Sequence, residues 1–180
     1  MLSDEEMIRQ TRSWIRLVVA GSNFCPFVAR ELKNNTIHYQ VAAHGNRKAS
    51  LSYFKLECER LDKHPEIETS LLIFPHNFEV FEDYLELVNR AEKQLLKNGY
   101  EGIYQVAGFH PLYCFAGADE SDPANYTNRS VYPMLHLLRE ESIDRALEKY
   151  TDPEGIPQRN INFARNKGIA YMKMLREQCL

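Results

Sequence analysis

A thiol, several imidazoles and two guanidinium groups stand in this chain where their types and spacing can do chemistry. Cys25 lies in Asn23-Phe24-Cys25-Pro26-Phe27. It stands just ahead of a helix that Pro26 would open, because proline suits the first helical turn. A thiol at that place meets the positive end of a helix dipole and unpaired N–H groups. Both lower its pKa from ~8.5 towards ~7, which makes a nucleophile if a base lies within reach. His110 and His136 are the bases to consider. The competing reading is an inert core thiol held between Phe24 and Phe27, since cysteine is among the most buried residue types.

Two arginines pose the complementary question. The stretch Tyr132-Pro133-Met134-Leu135-His136-Leu137-Leu138-Arg139 reads as a helix, with Leu135 and Ile143 four places either side of Arg139. An arginine beside an apolar stripe keeps its charge and needs a carboxylate, such as Glu140, Glu141 or Asp144, or an anionic ligand. Asn128-Arg129-Ser130 precedes that helix, near its free N–H groups, which form a natural anion site. Read together, Asn128, Arg129 and Arg139 hold a carboxylate or phosphate, His110 and His136 move protons, and Cys25 attacks. That describes a small enzyme acting on an anionic metabolite. The alternative is a non-enzymatic binding protein using the same pocket.

These groups need elements to position them. Ser3-Asp4-Glu5-Glu6 is a capping box that opens a helix carrying Met7, Thr11, Trp14 and Val18, and Gly21 ends it. Thr36–Ala43 alternates as a half-buried strand, Thr69–Phe74 is a continuous apolar run suited to a central strand, and Ile103–Phe109 makes a third. Helical patterns fill 49–63, 78–97 and 160–179. Strands separated by crossover helices favour parallel pairing. The fold class expected is α/β (or α+β), a small mixed or parallel sheet of three or four strands covered by helices, in one domain. His44, His76 and His110 each follow a strand, so parallel strands would set them along one carboxyl edge. Three imidazoles can hold zinc, but no HxH or HExxH spacing occurs and no metal is expected; if one binds, His110 is the first ligand, with His76 or His136 next. Between His110 and Ser130 the chain has no periodicity yet holds Tyr113, Phe115 and Tyr126, which argues for an ordered lid.

Four blocks carry a resemblance: Asn23 to Phe27; Gln105-Val106-Ala107-Gly108-Phe109-His110-Pro111; Ala124-Asn125-Tyr126-Thr127-Asn128-Arg129-Ser130; and Tyr132 to Glu140. Together they resemble the bacterial domain-of-unknown-function family 1415 across nearly the whole chain. The resemblance implies a single-domain bacterial protein and brings no established activity with it. Val131 stands where the family pattern has proline, and Cys114 where it has another residue, which argues against a shared role for Cys114.

Composition removes other classes. The chain has 180 residues, 26% of them charged, with a formal net charge of −3 and interspersed signs. No basic stripe points to nucleic acid. No apolar run reaches the ~18 residues of a membrane span, and the acidic start is unlike a signal peptide. Cys25, Cys58, Cys114 and Cys179 are far apart and form no CxxC pair, which fits reduced thiols in a cytoplasm. No glycine-rich phosphate loop or dinucleotide fingerprint occurs, so no nucleotide cofactor is expected.

Overall fold

Thr69–Ile73 (β2) is buried at every position, as a strand covered on both faces must be. It lies between β1 (Ile37–Val41), which is parallel to it, and β4 (Met134–Arg139), which is antiparallel. Beyond β4, and antiparallel to it, is β3 (Tyr104–Phe109), giving the order β1-β2-β4-β3. Thus β1, β2 and β3 share one direction, as helical crossovers require, with a fourth strand between β2 and β3. The fold is a mixed, open α/β sheet. The computed structural model describes residues 2–42, 47–148 and 150–180. His44, one of the three histidines expected at strand ends, lies outside them.

The fourth strand corrects the helix expected from Pro133. Met134, His136 and Leu138 point to one face of the sheet, and Leu135, Leu137 and Arg139 to the other. Both faces are covered, so the strand lacks the polar alternation that separates a period of two from 3.6. Helix begins only at Glu140 (α5, Glu140–Leu147).

The helices sort by face. α3 (Arg47–Lys63) and α4 (Phe81–Lys97) pack Phe54, Leu61, Tyr84, Leu87 and Ala91 against Leu72, Leu135 and Leu137. The other face carries Ile37, Leu71, Ile73 and Met134, and meets Trp14, Ile15 and Val18 from the N-terminal helix. That helix, α1 (Asp4–Trp14), starts where Ser3 Oγ accepts from the Glu6 N–H at 3.2 Å. It runs on into a six-residue π-helix, Ile15–Ala20. α2 (Val28–Asn34) begins two residues later than Pro26 suggests and closes on Asn35 in the left-handed region, φ 56°. The helix expected over 160–179 is two, α6 (Ile156–Lys167) and α7 (Ile169–Glu177), divided at Gly168, whose φ of 81° and ψ of 163° no helix accepts.

Candidate functional site

His136 sits on the first face of β4, with Leu71 and Ala107 beside it on the neighbouring strands. Its tautomer follows from its partners. Thr69 Oγ1 donates to the Leu137 carbonyl at 2.6 Å, so the same oxygen accepts from His136 Nε2–H at 2.7 Å. Nδ1 is then left as an acceptor. The Phe109 ring lies 5.9 Å from the imidazole, centroid to centroid. Although His136 keeps some accessible surface, the surroundings are nearly all carbon, and burial drives its pKa down to about 4.

Cys25 is brought to the same face by a tied-down turn. Asn23 takes the left-handed conformation, φ 55°, which asparagine tolerates well. The Phe24 N–H donates to the Val19 carbonyl at 2.8 Å, and Asn160 Nδ2 donates to the Phe24 carbonyl at 2.7 Å. The backbone N–H groups of Phe27 and Val28 at the start of α2 act to lower the thiol pKa, in the direction the sequence predicts. Burial nevertheless outweighs them and raises the thiol pKa. The expected lowering is reversed because a short helix end cannot offset the desolvation of a thiolate among Phe27, Phe109 and Pro157.

Cys25 and His136 share the walls of one crevice of about 390 Å³ between the sheet, α5 and the start of α6. Gln105 and Leu138 form more of the sheet wall, and Ile143 and Leu147 lie opposite. Cys25, His136 and Thr69 also border a smaller void of about 40 Å³ reaching inward to Trp14 and Ile15. Among the described residues, no Lys, Arg, Asp or Glu lines either space. At neutral pH the site presents a neutral thiol, a neutral imidazole and one carboxamide on apolar walls.

His136 predicts an acid sensitivity. Its pKa falls on folding, so the folded state favours the neutral ring. That contribution is complete above the unfolded value of ~6.5 and is lost as pH falls towards 4. Urea denaturation at pH 7 and pH 4.5 should show about 2–3 kcal/mol less of this loss in His136→Phe than in the native protein. An equal loss in both would show that other groups carry it.

The remaining candidates lie elsewhere. His110 is 1% exposed; its Nε2–H donates to the Phe78 carbonyl at 2.7 Å and its Nδ1 accepts from the Leu112 N–H at 3.0 Å. It is a core histidine with both nitrogens in use. Arg129 donates to the carbonyls of Tyr113 (2.8 Å) and Glu120 (2.9 Å) and lies over the Tyr126 ring. Asn128 Oδ1 accepts from Thr127 Oγ1 at 2.9 Å. Both order the segment between His110 and Ser130, none of which lines the crevice, so it is no lid over it. Arg139 pairs with Tyr104 in the ladder, at the opposite end of β3 from His110. Its guanidinium donates to the carbonyls of Leu61 (2.6 Å), His64 (3.2 Å) and Ile67 (3.0 Å). Neither a carboxylate nor a ligand is needed, because backbone oxygens at the end of α3 absorb the charge. His76 lies exposed in the turn after β2 and lines neither the crevice nor the inner void. Among the described residues no three His, Cys, Asp or Glu gather as a metal site.

The structure therefore brings Cys25 and His136 together and separates them from His110, Asn128, Arg129 and Arg139. Sequence reading passed over Thr69 and Gln105. With β4 recognised as a strand, the period of two would have set both on the His136 face. No helix among the described residues is long and apolar enough to cross a membrane. No curated protein and no solved structure matches the chain. The model of the family described as protein of unknown function (DUF1415) matches residues 6–174, a span that holds every residue of the crevice, and the chain belongs to that family.

Proposed function

We propose that the crevice binds an uncharged, largely apolar small molecule, with Cys25, His136 and Gln105 as its polar contacts. One observation carries this reading: two chemically capable side chains converge in a space of about 390 Å³ whose other walls are almost wholly hydrocarbon. That size and make-up suit a small-molecule site, where a few polar groups set orientation and apolar area supplies affinity. The anionic substrate expected from the sequence would find no cation here.

A catalytic role is favoured by a second observation, the place of Cys25 just before α2, where the backbone N–H groups of Phe27 and Val28 act to lower the thiol pKa. They would hold a thiolate once one formed. The thiol would add to an electrophilic carbonyl carbon, its proton passing to His136 Nδ1 and the carbonyl electron pair to oxygen.

Alkylation tests both readings. Cys25, followed by peptide mapping, should react slowly with iodoacetamide, with a pH midpoint above that of a free thiol, because burial holds its proton. Saturating benzyl alcohol or indole should slow it further. Fast modification near neutral pH, or no protection by either compound, would overturn the binding site. Turnover of p-nitrophenyl acetate that vanishes in both Cys25→Ala and His136→Phe would establish the catalytic role; turnover unchanged in both would remove it.

A further inference from the structure

Ile37 borders the inner void behind Cys25, and it also lines a separate cleft of about 400 Å³ on the outside of the N-terminal helix. That cleft lies between α1, α2 and β1. Arg9, Arg12, Ser13 and Arg16 face it from the helix, and Tyr39 faces it from β1. The spacing of the arginines, three and four residues apart, sets all three guanidinium groups on one helical face.

Their charges are not equally committed. Arg9 is held by Glu6 through two bonds, Nε–Oε2 at 2.8 Å and Nη2–Oε1 at 2.6 Å. The buried Glu31 at the cleft wall is already bound by Arg30 Nε at 2.6 Å and by the Thr36 hydroxyl. Arg12 lies over the Tyr39 ring at 4.8 Å, an arrangement that fixes the guanidinium without neutralising it. The Arg16 guanidinium makes no hydrogen bond or ion pair among the described residues, and the rim carboxylate of Glu5 pairs with none of the three. Two cations thus face a concave surface with no carboxylate bonded to either.

The backbone beneath them is unusual in a related way. Arg16 belongs to the π-helix, closed by the Gly21 N–H donating to the Arg16 carbonyl at 3.0 Å. A π-helix is rarer than an α-helix and is frequently found at functional sites. Gly21 permits it, because a Cβ there would stand 2.3 Å from the Leu17 carbonyl oxygen. Arg12 and Arg16 straddle the junction where the wider turn begins.

We infer that this cleft binds a small phosphate-bearing ligand, with Arg12 and Arg16 clamping the phosphate, the Ser13 hydroxyl donating to it and Tyr39 forming the floor. Guanidinium groups suit a phosphate because their paired N–H donors match its oxygens. The site is independent of the Cys25–His136 crevice, so either can fail without the other.

The test is binding of inorganic phosphate and of phenyl phosphate at constant ionic strength, with sodium chloride as the balancing salt. Thermal stability and phosphorus NMR linewidths serve as readouts. Saturable binding is expected, with phenyl phosphate tighter if a phosphorylated metabolite is the ligand and no tighter if free phosphate is. Arg12→Gln and Arg16→Gln should each weaken binding about tenfold or more. Arg90→Gln, which removes an exposed ion pair with Glu86 on α4, should leave binding unchanged. Arg16→Lys retains the charge and covers the case in which the glutamine variant fails to fold; it should weaken binding while leaving it saturable. A rise in stability that chloride reproduces, or one equal in the native protein and the Arg12 and Arg16 variants, would overturn the proposal.

Discussion

Replacing His110 by alanine is expected to cost about 4 kcal/mol of folding stability, read by urea denaturation at pH 7. Three losses combine. The ring fills space between Phe81 and Tyr84, at centroid distances of 5.1 and 4.9 Å, and its removal leaves a cavity. The Phe78 carbonyl loses its donor and the Leu112 N–H its acceptor, both near a residue that is 1% exposed. Phe78 itself is held at φ 64°, a conformation costly for a bulky side chain, and His110 helps to keep it there. Burial also lowers the pKa of His110, so acid should weaken the same region. Protection of Cys25 by benzyl alcohol should persist in whatever fraction of His110→Ala is folded. A loss below about 1 kcal/mol together with loss of that protection would return His110 to the site.

Arg139→Leu should lose about 3 kcal/mol, although leucine suits a strand with covered faces. The guanidinium closes the end of α3, where helical carbonyls lack intrahelical partners and the dipole is negative. It also reaches Ile67 in the connection to β2 and lies over the Tyr104 ring. Leucine would take this donor from the Leu61 and Ile67 carbonyls, while the His64 carbonyl keeps the Ile67 N–H at 3.0 Å. Lysine should recover only part of the loss, since a single ammonium cannot span carbonyls on different segments as the planar fork does. Stability unchanged in Arg139→Leu would mean that water satisfies the carbonyls.

The two variants mark where the sequence could be read and where it misled. Thr69–Phe74 announced a central strand through its unbroken apolar character. The mutual direction of β1, β2 and β3 followed from the helical lengths between them. Met134–Arg139 was opaque for a physical reason: leucine and methionine on both faces fit a helix and a doubly covered strand equally well. Once those residues were read as a helix, Arg139 and His136 fell on one side, and an anion site gathered around them. On a strand they point to opposite faces, His136 towards Cys25 and Arg139 towards α3. Cys25 was legible as a helix-start thiol but its pKa was not, since desolvation depends on walls contributed by Phe109 and Pro157. The arginines of α1 carried a visible spacing, yet a charged helical face is ordinarily solvated. The cleft beside them exists only because α2 and β1 pack there.

The place of β4 between β2 and β3 governs the order in which the molecule can assemble. β1 and β2 are close in sequence and can pair early, but the other edge of β2 has its partner in Met134–Arg139, and β3 has none until then. While the chain is being made, Leu71, Leu72 and Ile73 therefore offer an unpaired, wholly apolar edge, the kind that invites pairing with another chain. Arrival of β4 joins both halves of the sheet in one step of long sequence separation, a slow kind of contact to form. His136 arrives with that strand and meets Thr69 from the early half. The site is thus assembled last, and a molecule in which Cys25 and His136 face each other has already completed its sheet.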